Sequence, residues 1–291
     1  MLIKEYRIPL PFTLEEYRVG QMFSTAELSK METKDGEGVE FITNEDFTGT
    51  PLFDNRFSSG VYSYKIYRIA SRLPTFIRLL FDSNSMDIHE ESWNAYPYCR
   101  TIVTNPGYMK DNFSIIIESI HENGRGINEN AHLLPPEVLE RRSVVTIDIG
   151  NDPFTKGDYK KDTDPSRFVS VKTKRGPLKD DWISNANPIM TCYKLVRAEF
   201  KWFGLQARIE NFIQESEQKL FLRFHRQVFC WIDNWHDLNI DDIYLIEAET
   251  KANLFVKMRN PPVEEDEPIQ RHFLKSNPDH LLISINVYFQ H

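Results

Sequence analysis

The sequence predicts an α+β domain in which a curved antiparallel sheet wraps around a helix and leaves a space between them. Three observations point to this class. The chain opens with an alternating strand and a helix, continues with short strands separated by turn residues, and later carries one long helix with an apolar stripe. The 291 residues suffice for one large domain or two small ones, and no internal repeat is evident.

Periodicity and capping define the first two elements. Leu2–Leu10 alternates as a strand with one apolar face. Thr13 and Glu16 then have the spacing of a capping box, in which each side chain satisfies a free backbone N–H at a helix start. Gln21 and Ser24 fall on the inward face of this helix, where a plain core would carry apolar residues.

Strands dominate the middle of the chain. Alternation bounded by turn residues predicts one antiparallel sheet with strands at Val39–Thr43, Gly60–Ala70, Tyr98–Asn105, Phe113–His121 and Ser143–Ile149. Short helices are expected at Pro74–Phe81 and at Pro136–Arg142, which starts on a proline. Residues 150–190 are polar and irregular, and a loop of this length is usually functional or mobile.

The last third of the chain contains the longest elements. Thr191–Phe203 alternates as a strand, and a helix with an apolar stripe is predicted from Leu205 to Asp233. Asn239 caps a further helix. This helix is expected to end by Asn260, because the two prolines that follow cannot continue it.

Composition and charge exclude several function classes. The net charge is −8, so the basic face that nucleic acid requires is not expected. The 3 cysteines are widely spaced and suit neither a metal site nor a disulfide framework. The N-terminus has no signal-peptide apolar region, and no apolar run approaches the ~18 residues needed to span a bilayer. We therefore expect a soluble cytoplasmic protein that holds no metal or cofactor and binds no nucleic acid.

No catalytic constellation is evident. The chain lacks a His-Glu-x-x-His motif, a phosphate-cradling glycine loop and a nucleophile elbow. Asp148, Asn151 and Asp152 fall at the end of a predicted strand, where they suit a solvated turn better than a metal site. The sequence therefore predicts a protein that is not an enzyme.

The segment Glu91–Thr101 is the most informative part of the chain. It places three aromatic residues around Pro97, which cannot donate to a central ladder and so predicts an edge or bent strand. Beyond this proline, alternation puts Cys99, Thr101 and Val103 on one face. These small side chains suit the wall of a cavity better than a tight core, and an ordinary aromatic strand is the alternative.

Trp-Asn-Ala-Tyr-Pro-Tyr-Cys-Arg-Thr at 93–101 resembles the signature of the phosphatidylinositol transfer proteins, in the form carried by the small single-domain class. Further motifs of that family occur along the chain in the family's order. They are Ile-Lys-Glu-Tyr-Arg (3–7), Glu-Tyr-Arg-Val-Gly-Gln (16–21), Gly-Glu-Gly-Val-Glu (36–40), Lys-Thr-Lys-Arg-Gly-Pro-Leu (172–178), Cys-Tyr-Lys-Leu-Val (192–196) and Phe-His-Arg-Gln-Val-Phe-Cys-Trp (224–231). Many dispersed motifs in one order are more specific than any single motif.

The resemblance implies the helix-grip (START-like) fold, in which a curved sheet and long helices enclose one phospholipid as cargo. It implies a carrier that binds phosphatidylinositol or phosphatidylcholine and exchanges it during transient, peripheral membrane contact, and we expect a monomer. The transfer domain would cover residues 1–258, and residues 259–291 would form a tail that is either a lid or disordered. A lipid-modifying enzyme using the same cavity, or a sensor that presents phosphatidylinositol to a kinase, is the alternative.

The resemblance assigns the inositol headgroup to a set of polar residues. They are Ser63, Lys65, Glu90, Asn94 and Glu247. Ser63 stands where the family usually has threonine, so the hydroxyl is kept and a methyl group is lost. The strand pattern alone equally allows Ser63 and Lys65 to lie on a solvated face. The register near the last helix leaves Glu249 as an alternative to Glu247.

The resemblance also assigns Gln21, Thr101, Ser119 and Lys194 to the lipid phosphate. Lys194 stands out from periodicity alone, because it shares its strand face with apolar side chains, where a lone ammonium costs several kcal/mol unless it is paired. A lysine that reaches a rim is the alternative. Cys99 matches a cysteine near the headgroup in the class that also carries phosphatidylcholine.

Two further positions match functional positions of the family. Trp202 and Phe203 stand where the family has a membrane-docking pair that is usually two tryptophans, and a core role for Trp202 is the alternative. Ser170, followed by basic residues, resembles a regulatory phosphoserine and equally fits a packed hydroxyl.

Overall fold

One large twisted sheet holds most of the chain together. The computed structural model describes residues 1–32, 39–68, 87–154 and 159–246. Within these ranges the sheet has 8 strands in the order β2-β3-β4-β5-β6-β8-β1-β7. The strands are β1 (Leu2–Leu10), β2 (Val39–Leu52), β3 (Phe57–Arg68), β4 (Asp87–Ala95), β5 (Tyr98–Thr104), β6 (Phe113–Asn123), β7 (Ser143–Thr146) and β8 (Met190–Phe200).

Two long helices cover the inner face of this sheet. The helices are α1 (Leu14–Glu32), α2 (Pro136–Arg141), α3 (Trp182–Asn185), α4 (Gln206–Cys230), α5 (Ile232–Trp235) and α6, which includes residues 240–246. Of these, α1 and α4 contact each other and the sheet, and their apolar faces form the main core with it. The predicted α+β class and the helix-grip arrangement are confirmed.

The predicted start of α1 is confirmed in atomic detail. The Glu16 carboxylate accepts from the Thr13 backbone N–H at 2.8 Å, and the Thr13 hydroxyl accepts from the Glu16 N–H at 3.1 Å. The same carboxylate accepts from both terminal nitrogens of Arg175, at 3.0 and 2.8 Å, so the cap also fastens the long loop before β8. Along the inward face of the helix, Tyr17, Gln21 and Ser24 are all buried.

The sheet is not wholly antiparallel. Strand β7 pairs with β1 in parallel, from Lys4 opposite Ser143 to Arg7 opposite Thr146. The prediction of a purely antiparallel sheet was therefore wrong at this edge. The segment 124–142 connects β6 to β7, which run in the same direction with β8 and β1 between them, and it is long enough for the crossover that parallel strands need.

Pro97 lies in the turn between β4 and β5, outside both strands. Strand β5 is central, between β4 and β6. The predicted edge or bent strand was therefore wrong, because a proline in the turn takes no hydrogen bond away from the ladder. The expected common face of Cys99, Thr101 and Val103 is confirmed, since these alternate residues of β5 are all buried and pair with alternate residues of β6, whereas Tyr98 belongs to the cluster on the other face.

Other boundaries differ from the sequence prediction. Strand β4 was not predicted, because its polar residues do not alternate cleanly with apolar ones. Strand β8 ends at Phe200, before a turn at Gly204 with positive φ, and α4 runs only from Gln206 to Cys230. The predicted helix at Pro74–Phe81 and the predicted helix end near Asn260 lie outside the described residues.

A buried ionic network on β1 holds the crossover against the sheet. Glu5 is fully buried, and its carboxylate accepts from Arg7 Nε at 2.8 Å and from Arg142 Nη1. Arg7 continues the network to the Gly126 carbonyl at 3.1 Å. Burial raises the pKa of Glu5, but the neighbouring His132, Arg7 and Arg142 outweigh it and hold the pKa below the ordinary value of 4.5.

We expect Glu5→Gln to lower the free energy of unfolding by about 3 kcal/mol at pH 7, because it leaves the buried Arg142 without its carboxylate. A depressed pKa contributes stability that is present above the unfolded-state value and is lost as pH falls through the folded-state value. The difference between wild type and variant in urea unfolding should therefore shrink below about pH 4.5. A difference that stays constant to pH 3 would contradict an ionic role.

Candidate functional site

The strand register places polar residues in neighbouring rows across the inner face of the sheet. Paired positions on β3, β4, β5, β6 and β8 define these rows. The rows contain Asn94, Cys99, Ser119 and Lys194 in the first; Ser63, Ser92 and Thr101 in the second; and Lys65 and Glu90 in the third. All of these except the half-buried Asn94 are buried.

A cavity of about 790 Å³ opens beside these rows, between α1, the hairpin β2–β3, β4 and α6. The predicted site residues Gln21, Ser63, Lys65 and Asn94 all line it. Ser63 and Lys65 therefore do not lie on a solvated face, which the strand pattern alone had allowed. Tyr244 of α6 lies at the same cavity.

A buried ion pair joins β3 to β4 at one side of the cavity. Lys65 Nζ donates to Glu90 Oε1 at 3.0 Å, and the Tyr67 hydroxyl donates to Glu90 Oε2. Burial raises the pKa of Glu90, and the charge of Lys65 and the bond from Tyr67 offset this in part. Tyr67 was not predicted as a site residue, although it shares the alternating face of Lys65.

Lys194 is the unusual charge of this interior. Its side chain is buried, donates to Ser119 Oγ at 3.2 Å and lies 5.0 Å from the centre of the Phe221 ring. In the described part of the chain it has no ion pair with a carboxylate. A hydroxyl and an aromatic face compensate a buried ammonium only in part. The position therefore suits an anionic group of a ligand.

Two buried histidines next to Lys194 were missed from the sequence. His225 Nδ1 donates to the Phe221 carbonyl at 2.6 Å, so its Nε2 accepts from the Tyr17 hydroxyl at 3.0 Å. Burial and the charge of Lys194 lower the pKa of His225 to about 3 and hold the pKa of His121 well below its usual value. Both rings are thus neutral, and no periodicity could have marked them, because their proximity depends on pairing between distant strands and helices.

Cys99 and Thr101 meet a further hydroxyl in the same wall. Ser92 Oγ lies 3.2 Å from Thr101 Oγ1 and 3.7 Å from Cys99 Sγ. Burial raises the pKa of Cys99, so the group is a neutral thiol at physiological pH. Cys99, Thr101 and Ser92 therefore contribute small dipoles and no negative charge to this part of the interior.

Known proteins similar to this chain identify its family. Residues 1–252 match the family described as phosphatidylinositol transfer protein. The human phosphatidylinositol transfer protein beta isoform is 48% identical over 260 residues, which is 87% of this chain and 93% of the relative. Phosphatidylinositol transfer protein 1 of Dictyostelium discoideum is 44% identical over 269 residues, 92% of this chain and 98% of the relative. The chain belongs to this family.

The two positions that resemble the docking pair of the phosphatidylinositol transfer protein family differ in exposure. Phe203 is fully exposed. Trp202 is half-buried and stacks between Tyr108 and Phe200, with both ring centroids 6.3 Å away. Phe203 therefore has the freedom to contact a surface, whereas Trp202 contributes to packing.

Ser170 is fully buried, and its hydroxyl donates to Asp233 Oδ1 at 2.5 Å. This is the geometry of a packed hydroxyl, and a regulatory phosphoserine at this position stays a prediction. Glu247 and its alternative Glu249 lie outside the described residues. In the described ranges there is no metal-binding cluster, and no helix there is long and apolar enough to span a membrane.

We expect Lys194→Met to weaken lipid retention without destabilising the fold. Methionine fills a similar volume. Replacing a buried charge by an apolar side chain of similar size is often neutral or stabilising for the fold when hydrogen bonds offset only part of the desolvation cost. Phospholipid retained after purification should fall about tenfold or more relative to wild type, as measured by mass spectrometry.

Urea unfolding of delipidated protein is the control for Lys194→Met. The variant should unfold at a urea concentration no lower than that of delipidated wild type. Loss of stability together with loss of lipid would show that Lys194 serves the fold rather than a ligand.

Proposed function

We propose that this protein holds one phosphatidylinositol or phosphatidylcholine molecule in its cavity and exchanges it between membranes. Lys194 carries this proposal, because a buried ammonium without a counter-ion in the described residues suits the phosphate that both lipids share. Ser119 on β6 already accepts a hydrogen bond from Lys194, and the buried polar residues Gln21 on α1 and Thr101 on β5 belong to the same proposal. Family membership and the names of the relatives support the same function.

The acyl chains explain why such a carrier is needed. About 30 methylene groups at ~0.8 kcal/mol each amount to roughly 24 kcal/mol of transfer free energy into water. An apolar interior removes most of this barrier. The second and third rows end in apolar residues on β6 and β8, which belong to the main core with the helices and are Ile115, Ile117, Val196 and Ala198. The chains would lie there, with the headgroup toward β3 and β4.

We call the part of the cavity lined by Ser63, Lys65 and Asn94 the headgroup end. Hydroxyl, ammonium and amide groups suit the ring hydroxyls of inositol, since together they can donate and accept. Glu90 contacts Lys65 and would act through it or directly on the ring. Glu247 belongs to the same proposal, and Cys99 and Thr101 would border the ring on the β5 side.

A carrier is favoured over an enzyme that uses the same cavity. The relatives are named for transfer. The Cys99 thiol contacts the Ser92 hydroxyl, and the Nε2 of His225 accepts from the Tyr17 hydroxyl, so this thiol and this imidazole are not paired as the nucleophile and base that hydrolysis would use. A lipid sensor that presents phosphatidylinositol to a kinase remains compatible with the same binding site. We propose a cytoplasmic monomer that meets membranes transiently, with residues 1–258 as the transfer domain and 259–291 as a tail.

Native mass spectrometry of protein purified from cells tests this function directly. One intact phosphatidylinositol or phosphatidylcholine per chain is expected. The protein should then move radiolabelled lipid from donor to acceptor vesicles. Conversion of added lipid to a new product, with no transfer, would indicate the enzyme instead.

We expect the double variant Lys65→Met with Glu90→Gln to lose phosphatidylinositol transfer and to keep phosphatidylcholine transfer. Replacing both partners leaves no unpaired buried charge, so the fold is retained. Loss of the ammonium removes a donor to the ring hydroxyls, at a cost of about tenfold or more in relative transfer. Vesicle assays with each lipid measure the ratio. An equal loss of both activities would argue against a headgroup role.

We expect Phe203→Ala to slow transfer of both lipids, because burying this exposed ring in a membrane supplies roughly 1.5–3 kcal/mol. With a net charge of −8, general attraction to an anionic surface cannot replace it. The matched variant Phe203→Trp should retain transfer, since indole suits the membrane interface. Unchanged transfer by Phe203→Ala would place docking elsewhere.

Trp202→Ala should lower stability as well, because it breaks the ring stack with Tyr108 and Phe200.

A further inference from the structure

The edge strand β2 brings two polar residues to the headgroup end of the cavity. Asn44 pairs with Ser63, and Asp46 pairs with Val61, which in turn pairs with Asn94. All five side chains belong to residues that line the cavity of about 790 Å³. Asn44 thus extends the second polar row by one strand, and Asp46 lies in line with the first row, two strands beyond Asn94.

Glu45 and Phe47 also border the cavity, and the strand register indicates which side chains of β2 face inward. Glu45 pairs with Tyr62, which packs on Trp93 at 5.2 Å on the outer face of the sheet. Phe47 joins the same outer cluster of apolar residues. Since alternate residues of a strand point to opposite faces, Asn44 and Asp46 point toward the inner face.

Both side chains are available for a ligand. Within the described residues, neither Asn44 nor Asp46 makes a hydrogen bond or an ion pair through its side chain, whereas Lys65 and Glu90 are bonded to each other. A carboxylate accepts from hydroxyls and an amide both donates and accepts, which suits adjacent hydroxyls on one ring. The carboxylate also opposes the positive charge of Lys65 and of Arg18, which lines the same cavity.

We propose that Asn44 and Asp46 form the outer half of the headgroup site and select an uncharged polyol headgroup, of which inositol is the example. The inference rests on the proposed carrier function. It assigns the inner half of the site to Ser63, Lys65 and Asn94, and the outer half to β2. Choline offers no hydroxyl donors, so phosphatidylcholine would gain no hydrogen bond from these two residues.

Matched variants on the same strand test the assignment. Asp46→Asn and Glu45→Gln each remove one negative charge from β2 at the edge of the same cavity. The strand register places Asp46 opposite Val61 on the inner face and Glu45 opposite Tyr62 on the outer face. We expect Asp46→Asn and Asn44→Ala each to lower the ratio of phosphatidylinositol to phosphatidylcholine transfer about fivefold, the equivalent of one hydrogen bond. Glu45→Gln should leave the ratio at the wild-type value. Both transfers are measured with the same phosphatidylcholine vesicles containing one fixed, small fraction of phosphatidylinositol, so that the surface charge is the same for each lipid and each variant.

An unchanged ratio in Asp46→Asn and Asn44→Ala would overturn the assignment, and so would an equal change in Glu45→Gln. These outcomes leave the carrier function intact, because phosphatidylcholine transfer continues in each variant. Failure of the wild-type protein to transfer either lipid would overturn the carrier function itself. The side chains of Asn44, Glu45 and Asp46 are all exposed to solvent or to the open cavity, so the substitutions disturb no packing.

Discussion

A buried positive charge without a counter-ion in the described residues is the constraint on which the rest of this structure depends. The Lys194 ammonium lies in the sheet–helix interior, where it donates to the Ser119 hydroxyl and lies over the Phe221 ring. A second cation nearby would raise the cost further. His121 and His225 accordingly stay neutral, because burial and the same ammonium both disfavour their charged forms. The interior therefore keeps a fixed positive potential at one place.

The inner face of the sheet changes from polar to apolar across the strands. A row that carries Ser63 and Thr101 on β3 and β5 continues with Ile117 on β6 and Val196 on β8. This row of paired residues is thus polar on β3 to β5 and apolar on β6 and β8. Such a surface matches an amphiphile whose headgroup and tails differ in the same direction, with the phosphate between them. The register between strands, rather than any single residue, produces this match.

The sequence could predict what depends on local periodicity and not what depends on pairing. The capping box at Thr13 and the odd position of Lys194 follow from spacing within one element, and both are seen. Ser63 and Lys65 lie on a strand that carries both polar and apolar residues on each face. Only the packing of the neighbouring strands and helices determines which face is buried. His225 reaches the site because distant segments pack together. The parallel pairing of β7 with β1 was not predicted for the same reason, since the sequence of neither strand alone specifies its partner.

The same energetics bear on how a carrier would exchange its cargo. An interior without a phospholipid leaves the Lys194 charge without an anion, which is costly. A lipid released into water also exposes its acyl chains, which is costly too. A lipid phosphate beside Lys194 and acyl chains inside the protein would relieve both costs together. Exchange is therefore cheaper when one lipid leaves as another enters at a membrane surface than when an empty protein diffuses between membranes. In the proposed carrier, a phosphate would satisfy Lys194 whatever headgroup it bears. The choice between headgroups would then depend on the residues at the β2–β4 side of the cavity.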